Sequence, residues 1–361
     1  MFSIIVFLVV LGILILVHEF GHFIVAKKVG VKVERFSLGF GPVLLRKKKD
    51  ETEYTINAFP LGGYVKMAGD NAQDFKGESG EYLSKPPGKR AAIVFFGPLL
   101  NYVLGILFFW LIFMMGYPSF SNKVGGLVEG MGAEKAGIQA GDRIISVDGK
   151  KLNSWEELQA SIQVKPKGDK AKLIILRGDK ELPLDVNIET RDFNDPLGKK
   201  HSVGLLGIKP DENELVKVRY GIFNSFTLSI KKTWDLTTLT YSGLWQMITG
   251  KLSMKESVTG PLGIFFVTSK AAKIGLIAVL HLMAVLSISL AIFNLLPLPV
   301  LDGGHILLLV IEKIRGKSLS VKADNFIMQF GMSLIILLAL FVTYNDIVRL
   351  FGSKISKMIG N

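Results

Sequence analysis

Apolar residues gather into four long runs along the chain: residues 2–26, 91–115, 274–296 and 326–342, the last continuing in diluted form towards Leu350. Each reaches or approaches the about 20 helical residues that cross a bilayer, so the pattern predicts four transmembrane helices. Between the first two runs the period changes. Residues 31–36, 42–46, 54–58 and 63–67 alternate or carry β-branched side chains, with Gly and Pro between them, and read as strands. Residues 70–89 are polar and contain Gly and Pro, the composition of a linker. Between the second and third runs, Val124-Gly125-Gly126-Leu127-Val128 opens a mixed segment. A turn at 130–132, a short helix at 133–136 and a strand at 143–147 follow. A helix is predicted over 154–162, where Ser154 can cap and Glu157 sits three residues on. Strands at 172–176 and 182–188 complete a small α+β domain.

Composition supports a membrane setting. Hydrophobic residues make up 49% of the 361 and the mean hydropathy is +0.39, too apolar for an ordinary soluble domain. The first run does not read as a leader: residues 1–3 carry no positive charge and no small-residue cleavage site follows. The net charge of +12 sits largely beside the apolar runs, as topology and anionic lipid demand, and no nucleic-acid-binding pattern accompanies it. Lys27, Lys28, Arg46, Lys47, Lys48 and Lys49 follow the first run; Lys85, Lys89 and Arg90 precede the second. Residues 27–90 are therefore expected in the cytoplasm, as are 297–325 with Lys313, Arg315 and Lys317. The N-terminus and residues 118–272 are expected outside. The chain has no cysteine, which excludes disulfides and thiolate metal sites. Any metal must be held by His and carboxylate.

Only five histidines exist, and two stand four apart in His18-Glu19-Phe20-Gly21-His22. On a helix, residues i and i+4 share a face, so both imidazoles can reach one Zn²⁺, with Glu19 beside them to take a proton from water. The bland alternative is a chance spacing. Ionisable residues inside a span are costly and mark function by default, which weakens that alternative. His18 precedes Lys27 by nine residues, about 13 Å along a helix, so the site lies within the membrane but near its cytoplasmic face. A catalytic zinc commonly takes a third protein ligand. The third run ends in Asn294-Leu295-Leu296-Pro297-Leu298-Pro299-Val300-Leu301-Asp302-Gly303-Gly304-His305, where two prolines break the helix. Asp302 is the leading third ligand. His305 is its rival, and Asp302 could instead cap a helix over 303–311.

These two motifs together resemble the site-2 protease family of intramembrane zinc proteases, of the bacterial regulator-of-sigma-E type. Gly39-Phe40-Gly41-Pro42, Gly97-Pro98-Leu99-Leu100-Asn101 and Gly260-Pro261-Leu262-Gly263 add to the likeness, as does a PDZ-like 124–188. The resemblance implies one zinc on His18, His22 and Asp302, with Glu19 as general base. It implies substrate handling by Asn294, Pro297 and a re-entrant hairpin around Gly39, Phe40 and Gly41. Asn101 reads as an interhelical hydrogen-bonding residue. The resemblance also makes Gly125, Gly126 and Leu127 part of a loop that binds peptide C-termini. A domain that only gates access is the alternative. The expected fold is thus a polytopic α-helical membrane protein with about four transmembrane helices, a cytoplasmic-side re-entrant β-hairpin region and one extracytoplasmic α+β PDZ-like domain. The expected division is 1–117, 118–192 for the PDZ-like domain, 193–272 as an extracytoplasmic connection, and 273–361. Implied substrates are single-span membrane proteins, of anti-sigma-factor or signal-peptide type, in the bilayer of a bacterial cytoplasmic membrane. A non-enzymatic PDZ scaffold, a transporter with a metal site and a lipid-directed enzyme are the rival classes.

Overall fold

The computed structural model describes residues 2–71, 73–194 and 200–359. The chain divides into two compact units, Met1–Trp110 with Ser229–Asn361, and Leu111–Leu228.

The first unit begins with α1 (Phe2–Lys28), whose near-continuous apolar sequence makes it a span. Strands β1 (Val33–Lys49) and β2 (Thr52–Met67) follow, then α2 (Pro87–Met115), with Pro98 inside it. The four expected strand segments are all present, but the chain runs them into two long, bent strands. Residues 35–38 pair on one side with 63–66 and on the other with 53–56, the numbers rising together there, and 45–48 line the far side of 53–56. The tight turn falls at Asp50, with φ of 53°, rather than at 39–41. Gly39 and Gly41, at φ of 88° and 87°, instead carry the chain between two segments that are not neighbours. Their positive φ is why glycine stands there.

The second unit is built from short elements around one apolar core. β3 (Tyr117–Phe120), β4 (Val124–Leu127), α3 (Gly132–Lys135), β5 (Arg143–Val147) and β6 (Lys150–Lys151) precede α4 (Trp155–Gln163). Then come β7 (Lys170–Arg177), β8 (Lys180–Asn187), β9 (Glu189–Asn194), β10 (Lys200–Leu205), β11 (Ile208–Pro210) and β12 (Leu215–Val218). The main sheet has the order β6-β5-β7-β8. Val124, Ile144, Trp155, Leu158, Leu173 and Ile188 are among the side chains that meet in the core. Ser154 caps α4 by accepting from the Glu157 N–H, while Glu157 accepts from the Asn153 N–H at 2.7 Å. β4 pairs with β11 and β3 with β12. Residues 208–218 therefore belong with this sheet system, beyond the 192 boundary expected from sequence.

The chain then forms α5 (Ile222–Ile248), α6 (Met254–Ser257), α7 (Pro261–Ile274), α8 (Leu276–Asn294), α9 (Asp302–Arg315) and α10 (Val321–Ile359). Among the described residues, four helices are long and apolar enough to cross a membrane: Phe2–Lys28, Pro87–Met115, Leu276–Asn294 and Val321–Phe351. The third expected run, 274–296, corresponds to α8, whose start is set by Gly275, where φ of 129° ends α7.

Candidate metal centre

The site begins with a close approach of α1 and α2. A Cβ on Gly21 would overlap the Phe96 backbone, and one on Gly97 would overlap the His22 ring and crowd that of His18. Two glycines therefore let the imidazoles lie directly against α2. His22 Nδ1 is 2.9 Å from the Ile93 carbonyl oxygen. A carbonyl only accepts, so Nδ1 carries the proton and Nε2 keeps its lone pair. That Nε2 faces His18 Nε2 at 3.2 Å.

Asp302 completes the triangle. Its carboxylate lies 3.1 Å from His18 Nε2 and 3.7 Å from His22 Nε2, with the three side chains 11%, 12% and 16% exposed. Asp302 is the first residue of α9; Leu301 is the N-cap and makes no side-chain cap. The carboxylate is thus not occupied in capping. The approach depends on Gly303 and Gly304, whose added Cβ atoms would overlap the carbonyls of Leu295, Leu296 and Leu298. Val300 takes φ of 77°, a strained conformation for a β-branched residue.

The donor set fits Zn²⁺. Among the described residues, His18, His22 and Asp302 form the one group able to hold an ion, with ligand atoms within 4.8 Å of one another. Bonds of 2.0–2.1 Å in a tetrahedron imply edges of about 3.3 Å, close to the separations found. Asp302 Oδ2 is buried without a hydrogen-bond partner. Electron-rich atoms converging on one point, one of them orphaned, call for a cation.

Glu19 is half-buried on the same helix, and Gly63 of β2 backs onto it: a Cβ there would stand 3.2 Å from Glu19 Cγ. β2 thereby flanks the proposed base. Asn294 is the last residue of α8 and Pro297 lies exposed in the following turn. His305 is half-buried and outside the ligand triangle. Phe40 stacks on Tyr64 with ring centroids 6.1 Å apart, and the Gly39 carbonyl accepts from Ser37 Oγ and Asn57 Nδ2, both at 3.2 Å. Gly125, Gly126 and Leu127 are not an open loop. They form β4, with Gly126 opposite Lys209 and Leu127 opposite Ile208, so their backbone is engaged in a ladder.

Three features go beyond the sequence reading. Asn101, expected to hydrogen-bond between helices, is fully buried and contacts His18 Nδ1 at 3.3 Å. A largely buried ion pair joins Arg90 at the start of α2 to Glu312 of α9, the helix that carries Asp302. In the second unit, a cavity of about 390 Å³ opens between α4 and residues 204–208, lined by Val128, Trp155, Leu158, Ile162, Leu205 and Ile208 among others. The signal for the last was present as Gly204-Leu205-Leu206-Gly207-Ile208, a glycine-bounded apolar run.

The chain matches the model of peptidase family M50 over residues 6–338. It is 33% identical to the regulator of sigma-E protease RseP of Escherichia coli, over 95% of this chain and 98% of that protein. It is also 33% identical to a protein of Agrobacterium fabrum assigned as a zinc metalloprotease, over 96% of each chain. Among solved structures, a PDZ domain of an SdrC-like protein from Listeria monocytogenes is 25% identical, covering 26% of this chain and 90% of that one, with a TM-score of 0.21.

Proposed function

The chain belongs to peptidase family M50, and on that premise we propose how its own residues carry out the cleavage. It is a zinc metalloprotease of the site-2 type and a multi-pass inner-membrane protein. His18, His22 and Asp302 hold the ion. The observation that carries this reading is the triangle of electron-rich atoms from α1 and α9, closed beside half-buried Glu19. Bound zinc supplies Lewis acidity for the scissile carbonyl and for the attacking water. Glu19 takes that water's proton and delivers it to the leaving amine. Ile93 holds the His22 ring so that Nε2 faces inward.

The substrate is a transmembrane segment of a single-span protein, of anti-sigma-factor or signal-peptide type. Such a helix satisfies its own backbone and must be unwound before attack. The β1–β2 sheet, with Gly39, Phe40 and Gly41 at its crossing, receives the opened strand by main-chain pairing, and Asn294 and Pro297 position it at the end of α8. Lys and Arg flanking α1 and α2 support a centre near the cytoplasmic face and an extracytoplasmic second unit. That unit, from 118 at least to 192, is PDZ-like. Its candidate peptide seat is the apolar cavity beside α4, suited to a C-terminus with an apolar last side chain.

The test is cleavage of a model transmembrane substrate in liposomes by wild type and Glu19→Gln. The expected loss is about 10²–10⁴-fold. Equal cleavage by both would remove Glu19 from the role of base.

A further inference from the structure

Beyond the ligand set, we propose that Asn101 is a positioning residue for His18: its side-chain carbonyl accepts the His18 Nδ1–H and so turns the Nε2 lone pair towards the metal centre. The inference rests on His18 being a zinc ligand. Asn101 is fully buried in α2, and its Nδ2 is placed 3.3 Å from His18 Nδ1. An amide can offer a ring nitrogen either an N–H or a carbonyl, by half a turn about χ2. The ring decides which. If Nε2 holds zinc, Nδ1 must carry the proton, and only the amide oxygen can meet it.

The neighbouring ligand shows the same arrangement. His22 Nδ1 donates to the Ile93 carbonyl at 2.9 Å. Ile93 and Asn101 lie four residues before and four after Gly97, on one face of α2, and Gly97 is where the two imidazoles touch that helix. α2 thus offers one acceptor to each ring. Ser287 Oγ of α8 donates to the Asn101 backbone carbonyl at 2.8 Å, a tie between helices that does not involve the side-chain amide. Asn101 Oδ1 is otherwise buried without a partner.

A role in packing alone predicts something different, so the test separates the two. Zinc affinity of the full chain in detergent is measured by chelator competition. Asn101→Leu, which keeps the volume and loses the acceptor, should bind zinc about 10–100-fold more weakly. Asn101→Asp, an acceptor only, should stay within a few-fold of wild type. Ser287→Ala, which removes the interhelical bond without touching the ring, should leave affinity unchanged. Wild-type affinity in Asn101→Leu, or equal loss in the Leu and Asp variants, overturns the proposal. His18→Ala is measured alongside: undiminished zinc binding there would overturn the ligand assignment instead. A measurement on the unaltered chain covers variants that do not fold. In ¹⁵N-histidine spectra of the zinc-loaded protein, His18 Nδ1 should be protonated, and an unprotonated Nδ1 refutes the assignment.

Discussion

A methyl group at position 97 would overlap two atoms of the His22 ring, and α1 and α2 also meet closely at Gly21. Gly97→Ala is therefore expected to lower zinc affinity by about tenfold or more, with proteolysis falling in parallel. Chelator titration checks it, and unchanged affinity would show that the two helices separate freely. A second residue-scale effect lies in the other unit. Asp142 is 2% exposed and accepts from Arg177 Nε and Nη2 at 2.8 and 2.7 Å and from the Gln139 N–H at 2.8 Å. The Arg177 guanidinium holds its carboxyl below the usual carboxylate range. A depressed folded-state pKa contributes stability above the unfolded value, about 3.9, and loses it as pH falls through the folded value. Amide exchange in β5 and β7 should thus be insensitive to this group from pH 7 to 5 and rise below about pH 4. Asp142→Asn should remove that acid-dependent part and cost about 1–3 kcal/mol at neutral pH. Identical acid profiles would dissociate Asp142 from it.

Elements are tied to one another by a few polar contacts between apolar faces. Asp346 of α10 is fully buried and accepts the backbone N–H groups of Gly260 and Gly263 at 3.1 and 2.8 Å, serving the first turn of α7 from another helix. Asp346→Ala leaves those donors unpaired and should destabilise α7 by about 1–3 kcal/mol. Hydrogen exchange would then be faster in α7 than in α8; equal protection in both would show that water replaces the carboxylate. This tie explains why Gly260-Pro261-Leu262-Gly263 could be noticed in sequence but not interpreted, since its partner stands more than 80 residues away. The spans were legible because a bilayer selects on length and hydropathy alone. The strand segments of 31–67 were legible by alternation, yet not their order, which depends on the left-handed glycines 39 and 41. α5 escaped notice for a physical reason. It buries Ser225, Ser229 and Thr233 and exposes Phe223, Trp234, Trp245 and Ile248, the reverse of the pattern that marks a helix in water.

The whole molecule places its chemistry where sequence distance is greatest. His18-Glu19-His22 was readable because the i, i+4 spacing is local, and Asp302 because proline and glycine surround it just after a span. The groups facing the imidazoles from α2 were not readable as such: Ile93 acts through a backbone carbonyl, which carries no motif, and Asn101 reads in sequence only as an interhelical hydrogen-bonding residue. The 193–272 stretch held more order than its composition announced, because β11 and β12 are short strands whose stability comes entirely from β4 and β3.

The proposed ligands are 280 residues apart, His22 on α1 and Asp302 on α9. A ribosome adding about 5–20 residues per second needs roughly 14–56 s to cover that distance. For that interval the nascent chain carries two imidazoles and a base but no third ligand, and it passes through the translocation machinery among other newly inserted helices. The delay keeps an unfinished protease inert beside the proteins it could otherwise cut.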